Sequence, residues 1–110
     1  MEKRWEEGRR LFRAGRYFET HEEWELVWRN APATEKDFYQ GMVHLTVALY
    51  QAGRGNARAA RSQMGKARRR LSRYHPRHRG VHLDALVPAV DDAVNRVLAG
   101  EDIRKLHFEV

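Results

Sequence analysis

His21, Glu22 and Glu25 form the sequence H-E-x-x-E, which differs by one residue from the H-E-x-x-H helix of zinc proteases. On a helix, His21 and Glu25 lie one turn apart on the same side, a spacing that suits two ligands of one metal ion. His44 is the candidate third ligand, and Glu22 would then act as the general base. A metal-dependent hydrolase is therefore one hypothesis, although the chain shows no strand along which a peptide substrate would bind.

A structural role is the alternative for the same pair. At 100° per residue from His21, one continuous arc of the helix is predicted to face the core. It comprises Tyr17, Phe18, His21, Trp24, Glu25, Trp28 and Ala31. An unpaired charge on a buried face is costly. Glu25 must therefore pair with His21, meet a partner on another helix, hold a ligand or be protonated. We favour a buried His21–Glu25 pair that contacts Gln40 or His44 on the next helix.

A third interpretation makes these residues a cleft between the second and third helices. Apolar walls with a few convergent polar groups are typical of small-molecule sites, and Phe18 and Tyr39 would extend such walls. A plain core with one buried polar network has the same composition, so the spacing does not separate the two. The residues assigned to the cleft or network are His21, Glu22, Trp24, Glu25, Trp28, Gln40 and His44.

Positive charge is concentrated in one part of the chain. The first 53 residues carry eight Lys or Arg against nine acids, whereas residues 54–79 carry ten Lys or Arg and no acid. Such a segment suits nucleic acid, an anionic membrane or an acidic protein face. Three points weigh against nucleic-acid binding. Tyr74 is the only aromatic residue near the basic helix that could stack on a base, and the sequence contains no RNA-binding signature. Most runs of charged residues are also simply solvent-exposed helix faces. The candidate contacts to RNA or DNA are Arg58, Lys66, Arg69, Arg70 and Arg73.

Three more histidines, His75, His78 and His82, lie in the stretch HPRHRGVH. Their spacing of three and four residues is compatible with metal binding. The neighbouring arginines repel a dication, and no carboxylate occurs before Asp84. A solvated loop is the favoured interpretation.

Composition restricts the remaining classes. With 110 residues, the chain is expected to form one helical domain over 1–110. It has no cysteine, so disulfides and thiolate metal sites are excluded. No apolar run approaches the roughly 20 residues of a membrane span, and the N-terminus does not resemble a secretion signal. We expect a cytoplasmic protein without a membrane contact. No cofactor fingerprint or nucleophile motif occurs, which weighs against an enzyme and predicts no cofactor.

The apolar spacing predicts five helices and hence an all-α bundle. Their approximate bounds are 2–14, 17–31, 34–52, 57–74 and 85–99, with Thr34, Asn56 and Asp84 as starting caps of the last three. Pro88 fits the fifth helix only in its first turn. The stretch HPRHRGVH is predicted to be a loop.

The third helix is apolar nearly all round and should therefore be the central one. Its only polar strip consists of Gln40, His44 and Gln51. The C-terminal tail is too apolar for a solvated segment, so it should either dock on the fold or mediate a homodimer. Its apolar residues are Ile103, Leu106, Phe108 and Val110.

The pattern G-x-Y-F-E-x-H-E-x-x-E-x-x-W over residues 15–28 resembles the signature of the domain of unknown function 309 family. The resemblance continues through Gln40-Gly41 and through R-G-N-x-x-A at residues 54–59, and it spans roughly residues 11–71. Trp24 departs from it, since an aliphatic residue is expected there. The resemblance implies an all-α domain and no particular activity.

These observations rank three functions. A non-catalytic binding domain, with an aromatic His/Glu cleft for a ligand or a protein partner, comes first. A basic nucleic-acid-binding accessory protein is the alternative, and a metal-dependent hydrolase comes last.

Overall fold

The computed structural model describes residues 2–110 as a compact bundle of five helices. The helices are α1 (Glu2–Arg13), α2 (Tyr17–Arg29), α3 (Ala33–Gly53), α4 (Ala57–Leu71) and α5 (Leu83–Leu98). Two 3-10 turns, Ser72–Tyr74 and Ile103–Lys105, and the short strands β1 (Arg77–His78) and β2 (Val81–His82) complete the fold. The predicted all-α bundle is confirmed.

The central position of α3 is also confirmed, because α2, α4 and α5 all pack against it. Ten of its 21 residues are buried, and the polar strip Gln40, His44 and Gln51 is only half-buried. Neither α3 nor any other helix within residues 2–110 is long and apolar enough to cross a bilayer.

Five aromatic rings fill the junction of α1, α2 and α3. The Trp24 ring stacks on Trp5 with a centroid separation of 4.9 Å and on Phe12 at 5.7 Å. Trp5 also meets Phe38 and Tyr39 edge to face, each at 5.5 Å. The indole Nε1 of Trp24 donates to the Trp5 carbonyl at 3.2 Å, so its one polar atom is satisfied inside the core. These contacts determine how α1 and α2 dock on α3.

The predicted buried face of α2 is wrong. Its core-facing residues are Tyr17, Thr20, Trp24 and Val27. At 100° per residue, the middle of this buried arc points roughly 80° away from His21, which the prediction had placed in the buried face. Thr20 tolerates burial because its hydroxyl donates to the Arg16 carbonyl at 2.8 Å. Tyr17, Trp24 and Ala31 are buried as predicted.

One of the three predicted caps is correct. The Asn56 side chain accepts from the Ala59 amide at 3.2 Å and starts α4. Thr34 lies inside α3, whose cap position is held by Pro32 without a side-chain hydrogen bond.

α5 begins before its predicted cap. His82 precedes it and makes no capping bond, while Asp84 lies in the first turn, near the positive end of the helix dipole. Pro88 is therefore in the second turn, and its predicted place in the first is wrong. Asp84 and Pro88 are both exposed, so the missing helical hydrogen bond falls on the solvent side.

The predicted loop before α5 contains a hairpin. β1 and β2 pair antiparallel, and the turn residues Arg79 and Gly80 have φ values of 47° and 78°. Two consecutive left-handed residues are the requirement of a type I′ turn. Arg79 is held there by Glu35, to which its Nε donates at 2.6 Å. Strands of two residues carry no periodicity, so the sequence pattern does not reveal them.

The segment 103–110 docks on its own fold. Val110 is buried, and the side chains of Ile103, Leu106 and Phe108 pack against the core. The Arg9 Nε also donates to the Val110 main-chain oxygen at 2.6 Å. The docking alternative is thus confirmed for the apolar tail, and dimerisation through it stays a prediction.

Alanine at Gly8 and at Gly65 should have opposite effects on stability. A Cβ at Gly8 would lie 2.0 Å from Trp24 Nε1, so the packing must shift and we expect a loss of about 1–3 kcal/mol. A Cβ at Gly65 would meet only Arg69 Nη1, at 3.7 Å, and should add up to about 1 kcal/mol through helix propensity. Urea unfolding measures both free energies. A Gly8→Ala protein as stable as wild type would contradict the tight Trp24 contact.

Candidate functional site

His21 and Glu25 are neighbours, but they are not buried. The His21 Nε2 lies 3.7 Å from the Glu25 Oε1, and 26% and 34% of the two side chains are exposed. The other ring nitrogen, Nδ1, is 3.3 Å from the Phe18 carbonyl, and Glu25 also lies 3.7 Å from Arg29. The sequence predicted a buried pair; the structure shows instead a loose, partly exposed pair on the surface of α2.

His44 faces α4 and not α2. Its Nδ1 lies 2.7 Å from the Gln63 Oε1, so the ring N–H donates a hydrogen bond to the amide oxygen. Burial lowers the pKa of His44 and outweighs the hydrogen bond to Gln63, which raises it. The nearby Lys66 and Arg70 charges also lower this pKa. A neutral ring with a protonated Nδ1 leaves Nε2 as a hydrogen-bond acceptor.

The surface between α2 and α3 contains an aromatic groove, defined here by Phe18, His21, Val47, Tyr50 and Gln51. These residues enclose a depression of about 170 Å³. Phe18 is 49% exposed, and its ring centroid lies 5.4 Å from that of Tyr50 and 5.6 Å from that of His21. The exposed Phe18 ring thus lies between the rings of His21 and Tyr50 in the groove.

A second depression of about 350 Å³ adjoins the groove and shares Phe18 and Tyr50 with it. Arg54 lies at its edge, where its Nη1 donates to the Tyr50 hydroxyl at 3.2 Å and its guanidinium stands 5.6 Å from the ring centroid. Ile103 from the docked tail contributes to the opposite side. Phe18 and Tyr50 therefore join the two depressions.

The groove differs from the predicted cleft in its members. Trp24 and Tyr39 belong to the core, and Glu22 is exposed on the outer side of α2. Trp28 is half-buried near the start of α3, where the Lys36 amine donates to its carbonyl at 3.1 Å and lies 5.9 Å from its ring centroid. Gln40 is half-buried on α3 and does not line the groove depression.

Sequence reasoning missed Val47, Tyr50 and Gln51 as groove residues. Gln51 belonged to the polar strip of the third helix, and Val47 lies between His44 and Gln51 at helical spacing. This spacing could have identified Val47 as a groove residue, because it places Val47 on the same side of the helix as His44 and Gln51 and therefore predicts a similar exposure.

A larger opening lies elsewhere, with a volume of about 560 Å³ between the start of α5 and the docked tail. Its lining residues are His82, Ala85, Leu86, Ala89, His107, Phe108 and Glu109. One wall consists of the short segment 107–109, and no sequence motif points to it. The aromatic groove, in contrast, has two long helices as its walls.

The metal hypotheses gain no support from the geometry. Within residues 2–110, no group of three or more His, Asp or Glu side chains is placed to hold a metal ion. His75 contacts Asp84 at 2.5 Å, and His78 contacts Glu35 at 2.8 Å. His44 joins Gln63 instead of the H-E-x-x-E residues.

The predicted basic residues divide into two sets. Arg70 and Arg73 both pair with Asp37 of α3, at 2.8 and 3.1 Å. Arg58, Lys66 and Arg69 are exposed, and none of them forms an ion pair within residues 2–110. Only part of the positive charge on α4 is therefore used inside the fold.

A family model described as a domain of unknown function (DUF309) matches residues 5–63. The chain belongs to the DUF309 family. The matched segment includes the whole aromatic groove and ends within α4, before Lys66 and Arg69. Comparisons with curated proteins and with solved structures gave no significant match.

His21→Ala and Glu25→Ala should each lower the free energy of unfolding by less than about 1 kcal/mol, because both side chains are partly exposed and their contact of 3.7 Å is loose. In a double-mutant cycle the coupling should not exceed about 0.5 kcal/mol. Urea unfolding of the four proteins tests this. A single-mutant loss of about 3 kcal/mol or more, typical of a broken buried pair, would contradict the surface position.

His44 should make the fold less stable in mild acid. Its pKa in the fold lies below the ordinary value of 6.5, so the unfolded chain binds more protons below that pH and the free energy of unfolding falls as pH falls. A His44→Gln variant lacks this titration. Unfolding curves at about pH 7.5 and about pH 5.5 should show a smaller pH dependence in the variant, and an equal dependence would refute the assignment.

Proposed function

We propose that the protein is a single, non-catalytic binding domain whose aromatic groove holds a segment of a partner protein. The segment presents an apolar side chain to Phe18 and Tyr50 and a basic side chain to Glu22 and Glu25. The observation that carries the proposal is the 49% exposure of Phe18, an aromatic side chain that lines both depressions.

The exposure of Phe18 has no structural explanation within the bundle. The core of α2 is filled by Trp24 and its neighbours, so Phe18 adds no burial there. A lone exposed apolar residue is ordinary. Phe18 instead lies beside the half-buried Val47 and Tyr50, so the three side chains together offer an apolar contact to a partner. Aromatic residues are also the type most often found to dominate binding energy.

The shape of the groove favours a protein segment over a small molecule. Pockets for small molecules usually enclose most of their ligand within about 300–1,000 Å³. Here two shallow depressions of about 170 and 350 Å³ meet at Phe18 and Tyr50. Each has room for a side chain or two, which suits a chain laid along the helices, with anchors in successive depressions.

The charge at the α2 edge favours a basic residue in the partner. Glu22 is exposed and forms no ion pair within residues 2–110. Glu25 has only the contacts at 3.7 Å to His21 and Arg29. Loose pairs of this kind can be exchanged for a closer partner at small cost.

A random-peptide display library, selected on the wild-type protein and counter-selected on Phe18→Ser, tests the proposal. Selected peptides should share an apolar anchor next to Lys or Arg. Loss of Phe18 should weaken a selected peptide by about 30-fold, the effect of removing a central aromatic anchor. Glu22→Gln with Glu25→Gln should weaken it less, and most at low salt.

Leu26→Ser is the matched control. Leu26 is also an exposed apolar residue of α2, at 37%, but it does not line either depression of the groove. Its replacement should leave peptide affinity unchanged, and thermal melting should show both serine variants folded. Failure to select any peptide, or selected peptides that bind Phe18→Ser as well as wild type, would overturn the proposal.

A further inference from the structure

The outer side of α4 carries a line of basic and small residues that the groove does not use. At helical spacing, positions 58, 62, 65 and 69 fall on one line along the helix axis. They are Arg58, Ser62, Gly65 and Arg69, with Arg61 and Lys66 beside them. Gly65 is half-buried, and the other five residues are exposed.

Ion pairs neutralise the borders of this side but not its middle. Arg68 pairs with Asp91 of α5 at 3.0 Å, and Arg70 pairs with Asp37 of α3 at 2.8 Å. Arg61 reaches only the neutral amide of Asn95, at 3.4 Å. The central line therefore keeps its full positive charge between two neutralised edges.

The sequence of α4 also departs from what stabilises a helix. Its first turn has no acidic residue, and Arg58 and Arg61 stand near the positive end of the helix dipole. Gly65 in the helix interior costs about 1 kcal/mol relative to alanine. Its ideal Cβ would meet only one side-chain atom, so packing does not require the glycine. Local departures without a packing reason point to a functional constraint on this side.

We propose that this side of α4, defined by Arg58, Arg61, Ser62, Gly65, Lys66 and Arg69, binds the phosphate backbone of double-stranded DNA. Arginine side chains bind phosphate oxygens through two parallel hydrogen bonds. Contacts of this kind carry affinity without sequence preference.

The structure favours a duplex over a single strand. Single-strand binding depends on aromatic side chains on which bases stack. The sequence of α4 contains no Phe, Trp or Tyr. Tyr74, which follows α4, is buried, and its hydroxyl donates to the Thr34 carbonyl at 2.9 Å. No stacking group is therefore presented beside the line of arginines.

The dimensions of α4 fit the major groove of B-form DNA. Arg58 and Arg69 are separated by about 16 Å along the helix axis at 1.5 Å per residue, and the major groove is about 12 Å wide. The two arginines can therefore reach phosphates on both sides, while Ser62 and Gly65 permit close approach between them. The narrow major groove of double-stranded RNA does not admit a helix.

A membrane surface fits this side less well. Helices that lie on a bilayer insert an apolar face beneath their basic one. The apolar face of α4 is instead buried in the bundle, through Ala60, Met64, Ala67 and Leu71. Only charged and small polar residues remain for an outside partner.

Fluorescence anisotropy with a labelled 20-base-pair DNA duplex, titrated at several salt concentrations, tests the inference. Four phosphate contacts predict that log affinity falls against log salt with a slope of about −3.6. Arg58→Gln with Arg69→Gln should reduce the slope to about −1.8 and weaken binding by about 30-fold at 0.15 M salt.

Lys3→Gln with Lys105→Gln is the matched control. It removes the same charge from exposed residues of α1 and of the segment after α5 that, like Arg58 and Arg69, form no ion pair within residues 2–110. Its affinity should stay close to that of wild type. The same titration with single-stranded DNA, duplex RNA and anionic phospholipid vesicles should give weaker binding. Equal losses in the two double variants, a slope shallower than about −1, or tighter binding to any of the other three probes would overturn the proposal.

Discussion

The contact between Trp24 and Gly8 sets the rotation of α2, and the exposed surfaces of the bundle follow from it. The absence of a side chain at Gly8 lets the indole approach the α1 backbone so closely that a Cβ would stand 2.0 Å from its Nε1. The same nitrogen donates to the Trp5 carbonyl, one turn earlier on α1. A large ring packed this tightly admits few orientations, because protein interiors leave little free space. With Trp24 directed into the junction, Phe18, His21 and Glu25 must lie toward solvent.

The groove depends on this rotation of α2 and also on which part of α3 its neighbours leave exposed. On α3, His44, Val47 and Gln51 form a strip that is only half-buried. The turned-out side of α2 places Phe18 over one end of this strip, against Tyr50. α4 closes the other edge through Gln63 and His44. The groove is thus formed by the packing of α2 on α3 and belongs to no single sequence motif.

The arginines of α4 divide into two sets that the charge count does not separate. Those at the borders, such as Arg68 and Arg70, pair with carboxylates of α5 and α3. Exposed pairs of this type contribute little free energy, and their main effect is to orient the side chains along the borders. Arg58 and Arg69, at the middle of the helix face, remain available to an outside partner. The two proposed binding surfaces are therefore built from different residues, one between α2 and α3 and one on the outside of α4.

The sequence by itself determined the number and approximate bounds of the helices, the central position of α3, and the cap at Asn56. Those features depend on residues close together in the chain, through helical spacing and local hydrogen bonds. The sequence could not decide which arc of α2 is buried. His21 and Glu25 lie among aromatic residues in the pattern, but the direction of the helix depends on Gly8 and Trp24, which are 16 positions apart. Only the tertiary structure decided that direction, because steric fit between two helices fixes a rotation that the spacing within one helix leaves open.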